Sequence, residues 1–128
     1  MPKVKQLTVS CENRPGILAQ IARVLGDAKV NILAFATCAS GTESSVQLVV
    51  DNANKAKKAL DGATLSYSEA DVLHVELPNL PGALGSFAGK LASKETNITS
   101  GYATVAKGAN KATVVLAVSD LGKLARVR

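Results

Sequence analysis

"ENRPGIL" at residues 12–18 and "PNLPGAL" at residues 78–84 decide how this chain is read, because they are two copies of one loop. Each is Asn-x-Pro-Gly followed by an apolar pair, and each comes after an alternating apolar run. Gly82 lies 66 residues beyond Gly16, and Asn97 in "TNI" lies 66 beyond Asn31 in "VNI". At that offset Asn13/Asn79, Pro15/Pro81, Leu18/Leu84, Ala22/Ala88, Leu25/Leu91 and Ile32/Ile98 also match. Past the next hairpin the offset becomes 68, pairing Val46 with Val114, Leu48 with Leu116 and Lys55 with Lys123. A longer turn explains the change, since turns accept insertions at little cost. The chain is a duplication.

Within each copy the periodicities give strand, helix, strand, strand, helix. "VKQLTVSC" alternates, with Val4, Leu7, Val9 and Cys11 as its apolar positions. Pro15 suits a first helical turn, where its missing N–H would have had no partner anyway. Ile17, Leu18, Ile21, Val24, Leu25 and Ala28 then form one wide apolar stripe. "NILAFATCA" is a strand of small residues, "SGTE" a tight turn, and "SVQLVVD" returns with Val46, Leu48 and Val50 on one face. "NANKAKKAL" is a short helix closed by Asp61-Gly62, and "TLSYS" a final short strand. The second copy runs through "DVLHVEL", a helix from Pro81 to Lys94, "NITSGYATVA", "KATVVLAV" and "DLGKLARVR", and has no counterpart of "TLSYS". The expected fold class is therefore α+β. Two ferredoxin-like βαββαβ units, over residues 1–68 and 69–128, would each place helices on one face of an antiparallel sheet, the second unit lacking its last strand. Units this small bury little core alone, so pairing of their free faces and edges should add stability.

Composition excludes several classes. With 128 residues, 47% hydrophobic and 3% aromatic, the core must be aliphatic. No apolar run is long enough to span a bilayer, and "MPKVKQLTV" lacks the apolar stretch of a secretory signal, so a cytoplasmic location is expected. Cys11 and Cys38 are too few for a zinc site and are expected to be reduced and buried. The formal charge of +5 raises the question of nucleic acid, but much of the excess sits in Lys55, Lys57 and Lys58, which a solvated helix face explains. Phe35, Phe87, Tyr67 and Tyr102 do not form a base-stacking platform, so nucleic acid is a minority reading. His74 stands alone, Glu69, Asp71 and Glu76 alternate across both faces of a strand, and Asp27 and Glu43 belong to turns. No nucleophile–base pair or metal set emerges, so no enzyme and no cofactor is expected.

The repeated loop joins a strand to a helix. Free N–H groups at a helix start suit a carboxylate or phosphate. Gly16 and Gly82 let a ligand approach the backbone. Asn13 and Asn79 offer a carbonyl acceptor and amide donors without charge, which suits a zwitterion. The same residues are also ordinary helix-capping and turn residues. Asn31 and Asn97, opening the second strand of each copy, stand either at the same end as the loop or across an interface. On spacing alone, ligand binding and helix capping remain evenly matched.

The pattern "N-R-P-G-I-L-A-Q-I-A-R-V-L…V-N-I", with its second copy, resembles the ACT domain family of small regulatory modules. The resemblance covers roughly residues 3–68 and 70–128, so the chain is similar to a stand-alone tandem ACT protein. It implies the fold reached above and a small ligand, most often an amino acid, held at an interface between paired domains. By position it nominates Asn13, Arg14, Gly16, Ile17 and Asn31 in the first copy, and Asn79, Leu80, Gly82, Ala83 and Asn97 in the second. Where some members carry a histidine two residues before the loop asparagine, this chain has Cys11 and Leu77. The expected role is an allosteric, non-catalytic amino-acid sensor, a homodimer, acting on a regulated enzyme or regulator. The competing reading is a structural interaction module whose loops are only caps.

Overall fold

The computed structural model describes residues 3–124. Its elements are β1 (Lys3–Glu12), α1 (Ile17–Asp27), β2 (Ile32–Ser40), β3 (Glu43–Val50), α2 (Ala53–Gly62), β4 (Ser66–Pro78), α3 (Ala83–Ser93), β5 (Ile98–Thr104), β6 (Lys111–Val118) and a 3-10 turn at Leu121–Leu124. This is an α+β fold of βαββαβ type. Residues 5–70 form one compact unit, and residues 3–4 with 71–124 belong to the other.

In the first unit the strand order is β2-β3-β1-β4. β1 runs antiparallel to β3 from Leu7↔Leu48 to Glu12↔Glu43, and β2 runs antiparallel to β3 from Ile32↔Val50 to Ser40↔Glu43. The alternating positions fill one core: Leu7, Val9, Val46 and Leu48 pack with Ile21 and Leu25 of α1 and Ala56 and Leu60 of α2. The expected stripe of α1 is thus buried at Ile21 and Leu25, while Leu18 at its margin stays exposed. Lys57 of α2 reaches Glu69 on β4 at 2.8 Å, and Lys5 lies 3.8 Å from the same carboxylate.

The second unit has the same plan, with strand order β4-β6-β5 and with Leu73↔Leu116, Val75↔Val114 and Tyr102↔Val115 in register. Its core is Leu73, Val75, Phe87, Leu91, Val114 and Leu116. Gly101 pairs with Leu116, and a Cβ there would stand 2.5 Å from the Leu116 Cδ2 atom, so the glycine makes room for that leucine. No strand follows β6 among the described residues, as expected. The place beside β4 is taken by Lys3 and Val4 at the start of β1. Of the helix expected in "DLGKLARVR", the turn at Leu121–Leu124 is described; Ala125 to Arg128 lie outside the described residues.

Three expectations need correction. "TLSYS" and "DVLHVEL" are not separate strands: β4 runs through both for 13 residues. Ser68-Glu69-Ala70 contains no glycine or proline to turn the chain, and the odd-numbered positions keep phase, giving Tyr67 to one core and Leu73 and Val75 to the other. Asp61-Gly62 does not close α2, since Gly62 remains helical and Thr64 takes the left-handed conformation at φ 59°. Cys38 is exposed on strand β2, at the sheet edge, while Cys11 is half-buried and its thiol points to the Ser44 carbonyl.

All three helices end alike. Lys29, Thr64 and Glu95 have φ of 64°, 59° and 53°, and the following N–H groups of Val30, Leu65 and Thr96 return to the carbonyls of Leu25, Leu60 and Leu91 at 2.9–3.0 Å. This closure satisfies the last carbonyls and drives Val30 into the core, which offsets a left-handed conformation that side chains resist. Lys29→Gly is accordingly expected to stabilise the protein by about 1 kcal/mol, read from urea denaturation. Tyr102 gives a second expectation. Burial pushes its phenol from 10.0 up to about 12. The unfolded chain releases that proton first, so this contribution is intact below pH 10 and is lost as pH rises towards 12. Tyrosinate absorbance should appear late in an alkaline titration and coincide with loss of circular dichroism.

Candidate functional site

Each Asn-x-Pro-Gly loop leaves the end of a central strand and enters a helix. Gly16 and Gly82 are the N-caps of α1 and α3, with φ of 87° and 85°, and neither helix receives a side-chain cap. A Cβ at either glycine would meet nothing within 4 Å. Glycine is therefore required by the backbone angle, which L residues resist, rather than by crowding. Capping, one of the two readings open for Asn13 and Asn79, is not what these side chains do. α2 supplies the contrast, since Asn52 caps it by accepting the Lys55 N–H at 3.1 Å.

Asn13 and Asn79 instead fasten the loop to the neighbouring hairpin. The Nδ2 of Asn13 donates to the Gly41 carbonyl at 3.0 Å, and its backbone N–H donates to Thr42 at 2.8 Å. In the second copy Asn79 Nδ2 donates to Ala109 at 3.0 Å and its N–H to Asn110 at 3.0 Å. A carbonyl can only accept, so each amide nitrogen is fixed and each Oδ1 is left available. The first helical turns stay open as well. Ile17 and Ala83 bond back to Arg14 and Leu80, but among the described residues nothing accepts from the N–H groups of Leu18, Ala19, Leu84 or Gly85. With no acidic residue in either first turn, that end of each helix keeps its positive character.

The side chains around the loops differ. Arg14 donates from Nη2 to Gln20 Oε1 at 2.7 Å and lies 3.7 Å from the Glu12 carboxylate. A hollow of about 210 Å³ beside it is lined by Cys11, Glu12, Arg14, Ile17, Leu65 and neighbouring Ser and Thr residues. The second loop borders an open groove of about 400 Å³ whose walls include Leu77, Leu80, Gly82, Ala83, Phe87 and Lys90.

The loop residues of each copy are brought together, but the strand-opening asparagines are not with them. Asn13 follows Glu12 at the Glu43 end of β3, whereas Asn31 precedes Ile32 at the Val50 end. The eight residues of β3 separate these ends by about 23 Å. Asn79 and Asn97 are divided in the same way along β6. The possibility that loop and strand asparagines share one end of a unit is thereby excluded. At their own end, the Asn31 N–H donates to Asp51 Oδ1 at 3.0 Å, and the Asn97 N–H to Ser119 Oγ at 3.0 Å. Both side-chain amides face solvent without a protein partner among the described residues. Sequence reasoning missed Asp51 and Ser119, although the offset of 68 pairs them, and missed Phe87 and Lys90 because helical spacing does not mark a groove.

Residues 5–61 match the model of the ACT domain family. Among solved structures, protein BT0572 from Bacteroides thetaiotaomicron superposes with a TM-score of 0.88 at 29% identity, covering 94% of this chain and 83% of that one. The regulatory subunit of aspartate kinase from Thermus thermophilus, in ligand-free form, gives 0.68 at 15% identity over 91% and 87%. The corresponding subunit from Thermus flavus gives 0.62 at 16% identity over 88% and 81%. The last two establish the fold alone. No protein of curated function matches the chain.

Asn13→Ala separates anchoring from capping. It is expected to cost about 0.5–1.5 kcal/mol and to speed hydrogen exchange at the Asn13 and hairpin amides, with the α1 interior unchanged. Asn52→Ala should instead speed exchange in the first turn of α2.

Proposed function

We propose that the protein is a non-catalytic regulatory protein that binds a small amino acid at its Asn-x-Pro-Gly loops, with each of the two units serving as an ACT-type module. The ACT match over residues 5–61 supports a regulatory, small-molecule-binding role, and residues 71–124 are taken as a second module from the repeated loop and strand plan. The observation that carries the reading is the use made of the loop asparagines. Neither caps its helix; each holds its loop against a hairpin while Oδ1 and the first-turn N–H groups remain uncommitted, twice over. A rigid loop offering both an acceptor and donors suits a zwitterion, and pre-organisation reduces the cost of ordering on binding.

Asn13, Gly16, Ile17, Asn79, Gly82 and Ala83 form the loop side of the proposed sites, with Arg14 and Leu80 beside them. Asn31 and Asn97 lie too far along their own units to touch a ligand held at the loop of the same unit, so their contribution requires a facing module. A homodimer supplies one, and exposed Leu33 and Phe35 on strand β2 favour such pairing. The Thermus relatives, named as regulatory subunits of aspartate kinase, make a regulated enzyme a reasonable partner class for this chain too. Nucleic acid is less favoured, since Lys57 is committed to Glu69.

Thermal-shift and calorimetric titration with the twenty amino acids tests this reading. A ligand at a hundred times its Kd should stabilise the protein by about 2.7 kcal/mol. Absence of binding by every amino acid at millimolar concentration would remove the proposal.

A further inference from the structure

At the offset of 66 the two loops keep their backbone and exchange their side chains. Glu12, Arg14, Ile17, Ile21 and Val24 become Pro78, Leu80, Ala83, Phe87 and Lys90. Around the first loop the groups are ionic and mutually engaged, with Arg14 held by Gln20 and near Glu12. Around the second, the groove offers Leu77, Leu80, Ala83 and Phe87 as apolar wall. Leu80 is 68% exposed at the edge of this wall. Lys90 contributes the groove's cation, and no carboxylate pairs with its ammonium among the described residues. No acidic side chain lines the groove.

We propose that the second-unit groove selects an α-amino acid with an aliphatic side chain, its carboxylate held by the free first-turn amides with Lys90 adding charge, and its side chain against Leu77, Leu80 and Phe87. This rests on the amino-acid reading above and assigns the ligand class of one of its two loops. A basic side chain would find no partner in the groove and would face the Lys90 charge. An acidic one would have to shed water against Leu80 and Phe87. An aliphatic one covers exposed apolar surface, a gain that grows with the area removed from water. The volume of about 400 Å³ falls in the span usual for small-molecule sites. The first loop carries Glu12 and Arg14 where the second has Pro78 and Leu80, so charge interrupts its apolar lining and the two copies are not interchangeable.

The test is calorimetry of the full chain with leucine, serine and lysine. Leucine should bind at least about tenfold more tightly than serine, and lysine more weakly than either. Leu80→Arg, which places the first loop's residue in the second, should weaken leucine about tenfold, and Lys90→Gln should do so independently through the carboxylate. Serine binding as tightly as leucine would overturn the assignment while leaving the amino-acid reading intact. Unchanged leucine affinity in both variants would also overturn it. Failure of every amino acid to bind would overturn both.

Discussion

The hydrogen bond from a loop asparagine amide to a hairpin carbonyl is the constraint on which the arrangement depends. A strand-to-helix loop beginning with Asn-x-Pro-Gly has no ladder partner of its own, and a left-handed glycine at its end leaves the helix uncapped. Asn13 bonding to Gly41, and Asn79 to Ala109, anchor these loops to the β2–β3 and β5–β6 turns. Each side chain is supported by the N–H of the same residue, which bonds to Thr42 or Asn110. The loop is thereby held at two points, and the amides beyond the glycine need not be spent on holding it. A side-chain cap would have satisfied those amides and closed the end of the helix.

Most of the architecture was legible because period and burial agree. Leu7 and Val9 on β1, Val46 and Leu48 on β3, and Ile21 and Leu25 on α1 were each placed by spacing, and they meet in one core. The duplication then predicted the second core without further argument, down to Leu116 standing where Leu48 stands. Helix ends were less legible. Glycine is the usual signature of a left-handed closure, yet here Lys29, Thr64 and Glu95 adopt it. The return bonds from Val30, Leu65 and Thr96, and the burial of Val30, are tertiary effects that no local residue type announces. The break between "TLSYS" and "DVLHVEL" failed for a related reason. Alternation continues through Ser68-Glu69-Ala70, and Lys57 and Lys5 stand beside Glu69 within the continuous strand.

The site was legible as a loop but not as a pocket. Asn, Pro and Gly at fixed spacing identify a strand-to-helix turn, and their repetition marks it as worth keeping. The direction of the asparagine side chain depends on a hairpin about thirty residues away in sequence, so spacing left ligand binding and capping evenly matched and did not show the anchoring. Asn31 and Asn97 were open to two readings. Their constant separation from the loop fitted either one end of a unit or a facing module, and the strand registers remove the first of these. The return along α1 carries the chain to the far end of the sheet, where Asp51 and Ser119 receive the two strand openings.

A duplicated chain can preserve a backbone device while its surroundings diverge, and the two loops here show which parts are under which control. The glycine angles agree within 2° in φ, and the asparagine-to-carbonyl distances are both 3.0 Å. These are the features that keep the helix start open. Arg14 against Leu80, and Ile17 against Ala83, change only what surrounds that opening, from an ionic cluster to an apolar groove. Anchoring by the asparagine amide and its backbone N–H is shared by both copies, whereas the side chains that differ around the loops anchor nothing. One loop geometry thus stands in two different surroundings within a single chain.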